Sequence, residues 1–207
     1  MAKMKSTLSN MLLSLTLIAL VAAGLLAGVY TMTKATIDAT NAAKQQAAII
    51  AVLPQQEGLE IAEPIMHEGM EIYCATLDGQ TAGAAVKVAE NGFGGTFNLM
   101  VGFDAEGAIT GFQVLDHQET PGLGSKMQEW FANPQVIGQK VGETNFTVSK
   151  DGGDVDAITA ATISSRAFLL AVTKAYNAFM SAPAADAASG ATVMAEENET
   201  ENETVEE

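Results

Sequence analysis

The sequence predicts an α+β protein in which an N-terminal transmembrane helix precedes one extracytoplasmic domain with an antiparallel sheet flanked by helices. Three observations predict this fold. A long apolar stretch lies near the N-terminus, short β-like runs separated by turn residues follow, and an alanine-rich segment with helical spacing comes after them. The chain has 207 residues, of which 48% are apolar, so it can form one core of ordinary size.

The first predicted element is a membrane anchor. Residues 6–33 contain no Asp, Glu, Lys, Arg or His, and residues 11–30 are almost wholly apolar. About 20 helical residues, each rising ~1.5 Å, span a hydrocarbon layer of ~30 Å. A cleaved signal peptide is the alternative, but its apolar core is usually only about 7–15 residues long. We therefore predict that residues 11–30 cross the membrane and that residues 1–10, which include Lys3 and Lys5, are cytoplasmic.

Residues 31–54 are predicted to form a helical stalk. The segment is rich in alanine, lacks glycine, and has its only proline, Pro54, at its end. This composition favours a helix that stops where the proline occurs. Lys34 and Lys44 lie beyond the far end of the apolar stretch and argue against a cytoplasmic N-terminus, because positive charges favour the cytoplasmic side.

Residues 55–181 are predicted to form the folded domain, after an irregular start over residues 55–66. Four β-like runs alternate with turn sequences, and the last two are expected to form a hairpin around residues 104–107. A short helix is expected over residues 126–132 and a longer one over residues 163–180. The runs are "GMEIYCATL", "TAGAAVKVA", "TFNLMVGFD" and "AITGFQVLDH", with "TNFTVSK" as a further candidate strand.

The apolar face of the longer helix is expected to lie in the core, with Lys174 and Asn177 pointing elsewhere. The expected core-facing residues are Ile163, Ala167, Leu170, Ala171 and Phe179.

The acidic charge is concentrated at the C-terminus. Residues 182–207 have few large apolar side chains and include seven Glu within residues 196–207, so we predict a disordered acidic tail. The net charge of −15 argues against nucleic-acid binding. The single cysteine, Cys74, excludes an intramolecular disulfide and an all-cysteine metal site, and it is expected to be buried. His67 and His117 do not have the spacing of metal ligands.

Two stretches carry residues suited to a ligand. In "DHQETPGLGSKM", residues 116–127, proline and glycines predict a tight exposed turn that a flat ligand can approach closely. Glu119 and Thr120 offer polar contacts there, and Leu123 an apolar one. The alternative is a plain connection between sheet and helix.

The second stretch is "DAITAATISS", residues 156–165, at the start of the longer helix. A helix N-terminus presents free N–H groups that suit a phosphate, and Lys150 adds a nearby cation. A threonine hydroxyl there could hold a phosphate or be joined to one. The alternative is an ordinary helix cap formed by Asp156 or Thr159.

The segment "GGTFNLMVGFDAEGAITGFQVLDHQETPGLGSKM" together with "DAITAATISS" resembles the periplasmic FMN-binding domain family, and within it the G subunits of Rnf electron-transport complexes. The similarity covers residues 11–180. The resemblance implies that FMN is joined covalently to Thr162, through a phosphoester made by a flavin transferase. It also implies ring, polar and phosphate contacts from further residues. These are Glu119, Thr120, Leu123 and Gly124 in the turn, Ala157, Ile158 and Thr159 before the helix, and Lys150.

One position departs from the family pattern. The Ser/Thr-Gly-Ala-Thr core reads "TAAT" here, and Ala160 replaces glycine, which is harmless only if its backbone conformation is ordinary. A second copy, "SGAT" at residues 189–192, keeps the glycine and has Asp186 at the matching distance. We favour Thr162 over Thr192 because only the first copy precedes a predicted helix.

The resemblance implies a membrane-anchored electron carrier with covalent FMN, working with other membrane subunits of an Rnf complex. Such a complex moves electrons between ferredoxin and NAD while Na⁺ or H⁺ crosses the inner membrane, and this subunit is not catalytic alone. The FMN domain would lie on the periplasmic side. One alternative is the C subunit of Na⁺-translocating NADH:quinone reductase, and another is a membrane-tethered binding module without redox chemistry.

Overall fold

The computed structural model describes residues 8–182, and its first element is one long helix, α1 (Leu8–Val52). An 18-residue window of α1 has a mean hydropathy of 2.5 and is wholly unburied, so by length and composition the helix can cross a membrane. The predicted N-terminal helix is therefore present. Its division at residue 30 into a span and a stalk stays a prediction, and the predicted tail, apart from Ala182, lies outside the described residues. The chain divides into two compact units, one up to Ala47 and one from Ala48.

The unit that begins at Ala48 is built on an antiparallel sheet of six strands. The strands are β1 (Glu60–Ile61), β2 (Ile65–His67), β3 (Met70–Leu77), β4 (Gln80–Asn91), β5 (Thr96–Asp104) and β6 (Ile109–Asp116). Five strands follow the order β1-β3-β4-β5-β6, and β2 also pairs with β3.

Tight turns set the register of this meander. Between β3 and β4 only Asp78 and Gly79 connect the strands, with φ angles of 52° and 78°. A two-residue hairpin loop of type I′ needs positive φ at both positions, and Asp-Gly is a favoured pair for it. The hairpin of β5 and β6 turns at Gly107, as predicted.

Both faces of the sheet are buried. Along β5, Phe97, Leu99, Val101 and Phe103 belong to the larger core, whereas the intervening Met100 belongs to a smaller cluster on the other face. This alternation is the two-residue period of a strand. Cys74 is buried as expected, and burial raises the pKa of its thiol.

Helix α3 (Thr162–Ser181) covers the larger core, and Phe179 stacks on Phe103 with ring centroids 5.6 Å apart. Residues 48–53 cover the other face of the sheet. There the Val52 carbonyl accepts a hydrogen bond from the Thr110 hydroxyl and lies directly over Gly102, where a Cβ atom would overlap it. The C-terminal end of α1 thus packs on a part of the sheet, at Gly102, where a side chain would not fit.

Two predictions from local sequence were wrong because pairing with distant segments determines the secondary structure there. The segment expected to be irregular contains β1 and most of β2, and both strands pair with the edge of β3 that β4 leaves free. "TNFTVSK" forms no strand, because the chain enters a 3₁₀ turn at Ser149–Asp151 and the segment makes isolated bridges, from Thr144 to Val141 and from Val148 to Val155.

The flanking helices also differ in detail. The short helix α2 (Met127–Trp130) ends earlier than predicted, since the Asn133 side chain caps its last carbonyl at 2.6 Å. In α3, Ile163 and Leu170 are 53% and 47% exposed, so their predicted place in the core is wrong. The core contacts come instead from the neighbouring face, which includes Phe168, Leu169 and Val172.

Candidate functional site

The two stretches singled out in the sequence meet at one cavity of about 390 Å³. This volume is within the range of about 300–1,000 Å³ that is usual for small-molecule sites. The turn after β6 forms one side and the start of α3 another. The lining residues are Phe93, Glu119, Thr120, Leu123, Gly124, Ala160, Ala161, Thr162, Ile163 and Ser164.

Thr162 is the first residue of α3, and the helix begins without a side-chain cap. The expected alternative, a cap from Asp156 or Thr159, is therefore not formed. Within residues 8–182, the N–H groups of Thr162, Ile163 and Ser164 donate to no acceptor. These free donors and the positive end of the helix dipole make this end of the cavity suitable for an anion such as a phosphate.

Ala160 has a left-handed backbone, with φ of 62°. The condition for a harmless alanine, an ordinary backbone conformation, is therefore not met. A Cβ atom in this region costs free energy that glycine avoids. The turn that brings Thr162 to the cavity is consequently under local strain in this chain.

Glu119 joins the turn after β6 to two other parts of the cavity wall. Its side chain is buried, with 5% exposure. Oε1 accepts hydrogen bonds from the N–H groups of Phe93 at 2.7 Å and Gly94 at 3.2 Å, while Oε2 accepts one from the Ser164 hydroxyl at 2.7 Å. Both carboxylate oxygens are thus engaged by the protein itself.

The loop between β4 and β5, residues 92–95, supplies Phe93 to the cavity, although the sequence alone predicts no role for it. Glycines surround this aromatic residue, and a Cβ atom at Gly92 would overlap Glu119 Oε1, while one at Gly94 would overlap the Gln118 carbonyl. The unusual "GFGG" sequence was a possible indication, but only the tertiary contact with Glu119 gives it a meaning.

A second groove of about 390 Å³ adjoins the same turn. Its lining includes Ile158 and Thr159, together with Trp130, whose indole N–H donates to the Asp156 carbonyl at 2.9 Å. The remaining lining residues are Gly122, Lys126 and Glu129.

The predicted site residues therefore fall into three groups. The first cavity brings together Thr162 and the four residues of the turn, whereas Ile158 and Thr159 lie in the second groove. Ala157 packs against the core and Lys150 lies in the 3₁₀ turn, so neither lines these two spaces.

The ion pair near the start of α3 is made by Arg166 and not by Lys150. Arg166 donates to both carboxylate oxygens of Asp151, at 2.6 Å and 2.9 Å. These hydrogen bonds, helped by the charges of Arg166 and Lys150, hold the pKa of Asp151 below its usual value. The same pair raises the pKa of Arg166.

Comparison with known proteins connects this cavity to a family. The FMN-binding domain family matches residues 92–177, which include the β4–β5 loop and Thr162. The chain is 35% identical over 195 residues to the G subunit of the ion-translocating oxidoreductase complex of Aliivibrio fischeri, covering 83% of this chain and 90% of that protein. It is 36% identical over 165 residues to the G subunit from Haemophilus influenzae, covering 72% and 79% of the two chains.

A solved structure is also similar, at a lower level. It is the crystal structure of the C subunit of Na⁺-translocating NADH-quinone reductase from Parabacteroides distasonis, with 20% identity and a TM-score of 0.41. The match covers 55% of this chain and 63% of that chain, and it supports no argument about the site. The identity and coverage of the two G-subunit relatives are decisive by contrast. The chain belongs to the G-subunit family of ion-translocating oxidoreductase complexes.

Proposed function

We propose that this protein is the membrane-anchored, FMN-carrying electron-transfer subunit of an Rnf-type complex, with FMN joined through its phosphate to Thr162. The observation that carries the proposal is the position of Thr162. Its side chain lines the cavity at the start of α3, where the first N–H groups have no acceptor within residues 8–182. A hydroxyl and a phosphate-binding helix end thus coincide.

The residues present fit FMN. The N–H groups of Ile163 and Ser164 suit the phosphate, and the apolar side chains of Phe93 and Leu123 suit the faces of a flat ring. Thr120 adds a polar group at the same cavity. When bound, FMN supplies the electron-transfer chemistry, and the protein supplies its position and surroundings.

The proposed attachment forms one bond, between Thr162 Oγ and the phosphorus of the FMN phosphate, and breaks one P–O bond of the FMN donor, whose leaving group departs with the hydroxyl proton. The Thr162 hydroxyl makes no hydrogen bond within residues 8–182, and the residue is only partly buried. It is therefore available to a flavin transferase, which we propose makes the ester. Attachment at the phosphate leaves the ring unmodified, so neighbouring side chains are left to tune its potential.

For the membrane arrangement we propose a single span over residues 11–30, a cytoplasmic N-terminus, and an FMN domain on the periplasmic side of the inner membrane. Lys3 and Lys5 support this orientation. One helix provides no ion path, so the protein works with other membrane subunits of the complex. In this proposal ferredoxin and NAD react elsewhere in the complex, and the coupled ion is Na⁺ or H⁺.

Peptide mass spectrometry tests the attachment. The full chain, produced together with a flavin transferase, should yield a peptide containing Thr162 whose mass is increased by FMN minus water. Thr162→Ala should abolish covalent flavin. Thr192→Ala, which lies outside the described residues, is the matched control and should retain it. Flavin found only on the Thr192 peptide would refute the site, and a colourless wild-type product would favour the binding module without redox chemistry.

A further inference from the structure

We propose that Glu119 is a positioning residue, which holds the β4–β5 loop so that Phe93 packs on the flavin ring. The inference rests on the proposed function. It departs from the expectation that Glu119 itself contacts the flavin, because both of its carboxylate oxygens already accept hydrogen bonds from the protein.

The hydrogen bonds of Glu119 connect two elements that the chain brings from far apart. Oε1 accepts from consecutive N–H groups of the loop, those of Phe93 and Gly94, and this pair fixes the direction of the loop backbone at Phe93. Oε2 accepts from Ser164 in the first turn of α3, two residues after Thr162. One buried carboxylate therefore sets the position of the Phe93 side chain relative to the attachment site.

Glycines make this close contact possible. A Cβ atom at Gly92 or Gly124 would overlap a carboxylate oxygen of Glu119, and one at Gly94 would overlap the Gln118 carbonyl. Because the backbone approaches so closely on these sides, the loop has little room to shift while the carboxylate is present. The packing thus supports a fixed loop rather than one that adapts freely to its ligand.

Phe93 contributes little to the folded core. Its side chain is 68% exposed although it lines the cavity, and among residues 8–182 it makes no aromatic ring contact. Leaving a large apolar ring in water forgoes the stabilisation that burial of an aromatic side chain gives. A flat aromatic ligand in the cavity would cover this ring and recover that stabilisation.

Flavin fluorescence anisotropy of the loaded full chain in detergent tests the proposal. A ring tethered only through its phosphate rotates more freely than a packed ring, so Phe93→Ala and Glu119→Ala should both lower the anisotropy. Glu119→Gln should retain it, since the amide oxygen can accept from the loop and the amide N–H can donate to Ser164. Met66→Ala, which truncates a side chain that is 66% exposed and lines none of the grooves described, is the matched control.

The outcomes separate this proposal from the proposed function. If Thr162 carries FMN but Phe93→Ala keeps the wild-type anisotropy, the packing role of Phe93 is overturned; this exposed substitution is not expected to disturb folding. Loss of anisotropy in Glu119→Gln as large as in Glu119→Ala would assign the effect to charge instead of position. A wild-type chain without flavin at Thr162 overturns both proposals.

Hydrogen exchange gives a readout that needs no flavin. In a full chain made unloaded by Thr162→Ala, adding Glu119→Ala should accelerate amide exchange across residues 92–95, whereas adding Glu119→Gln should not. Equal exchange in all three chains would overturn the positioning role of Glu119.

Discussion

The substitution Ala160→Gly is expected to stabilise the folded domain. Ala160 has φ of 62° in the turn that leads into α3. An L-residue with a Cβ atom loses about 1–2 kcal/mol in the left-handed region, and glycine does not. Glycine in turn loses about 0.4–1 kcal/mol through its more flexible unfolded chain. The net expectation is an increase of roughly 0.5–1 kcal/mol in the free energy of unfolding.

Thermal unfolding of the full chain in detergent, followed by circular dichroism, measures this effect. For a protein of this size, 1 kcal/mol corresponds to a Tm shift of about 2–4 °C. Ala161→Gly is the matched control, because Ala161 is the next residue, has φ of −131° and is buried, so glycine there should lower the Tm. A160G with an unchanged or lower Tm, or shifts of the same sign in both variants, would refute the strain argument.

Three further expectations concern other parts of the molecule. Gly102→Ala should destabilise the domain by roughly 1–3 kcal/mol, because its Cβ atom would overlap the Val52 carbonyl. Denaturant unfolding measures this loss, and the control Gly111→Ala, whose Cβ atom would lie 3.5 Å from its nearest neighbour, should lower the free energy of unfolding clearly less. The Asp151–Arg166 pair lowers the pKa of Asp151, so its stabilisation is present above the unfolded-state pKa and is lost as the pH falls through the folded-state pKa. The free energy of unfolding of Arg166→Ala should therefore be lower than that of wild type near neutral pH and equal to it in acid. A difference between the two proteins that stays constant at all pH values would contradict this. Alkaline phosphatase fused to the C-terminus should be active, since its disulfides form outside the cytoplasm; an active cytoplasmic reporter at the same position would contradict the proposed orientation.

Local patterns predicted most of the regular structure. A β-like run between turn sequences indicated β5, and the helical spacing of apolar residues indicated α3. These patterns succeed because the period of a strand or helix is written in consecutive residues. The cavity was partly predictable for a different reason, since a recognised pair of motifs indicated that the turn after β6 and Thr162 act together.

What failed depends on contacts between distant segments. The role of the loop at Phe93 follows from hydrogen bonds to Glu119, which is 26 residues away in sequence. The exposure of Leu170 follows from which side of α3 meets the sheet, and alanines on several sides of that helix leave its rotation ambiguous. Lys150 lies next to Asp151 in the 3₁₀ turn, where the ion pair with α3 is made by Arg166, and a contact between Lys150 and FMN stays a prediction.

The docking of residues 48–53 on the sheet has a consequence for anyone who wants the domain without its membrane helix. A fragment that begins at residue 55 would lack Val52 and Leu53 and would leave Met100 and its apolar neighbours uncovered on the outer face of the sheet. Such a newly exposed patch promotes self-association. A fragment that begins at Ala48 keeps this cover, together with the carbonyl that Thr110 binds. A water-soluble fragment of this electron carrier should therefore begin within the last turns of the long helix and not after it.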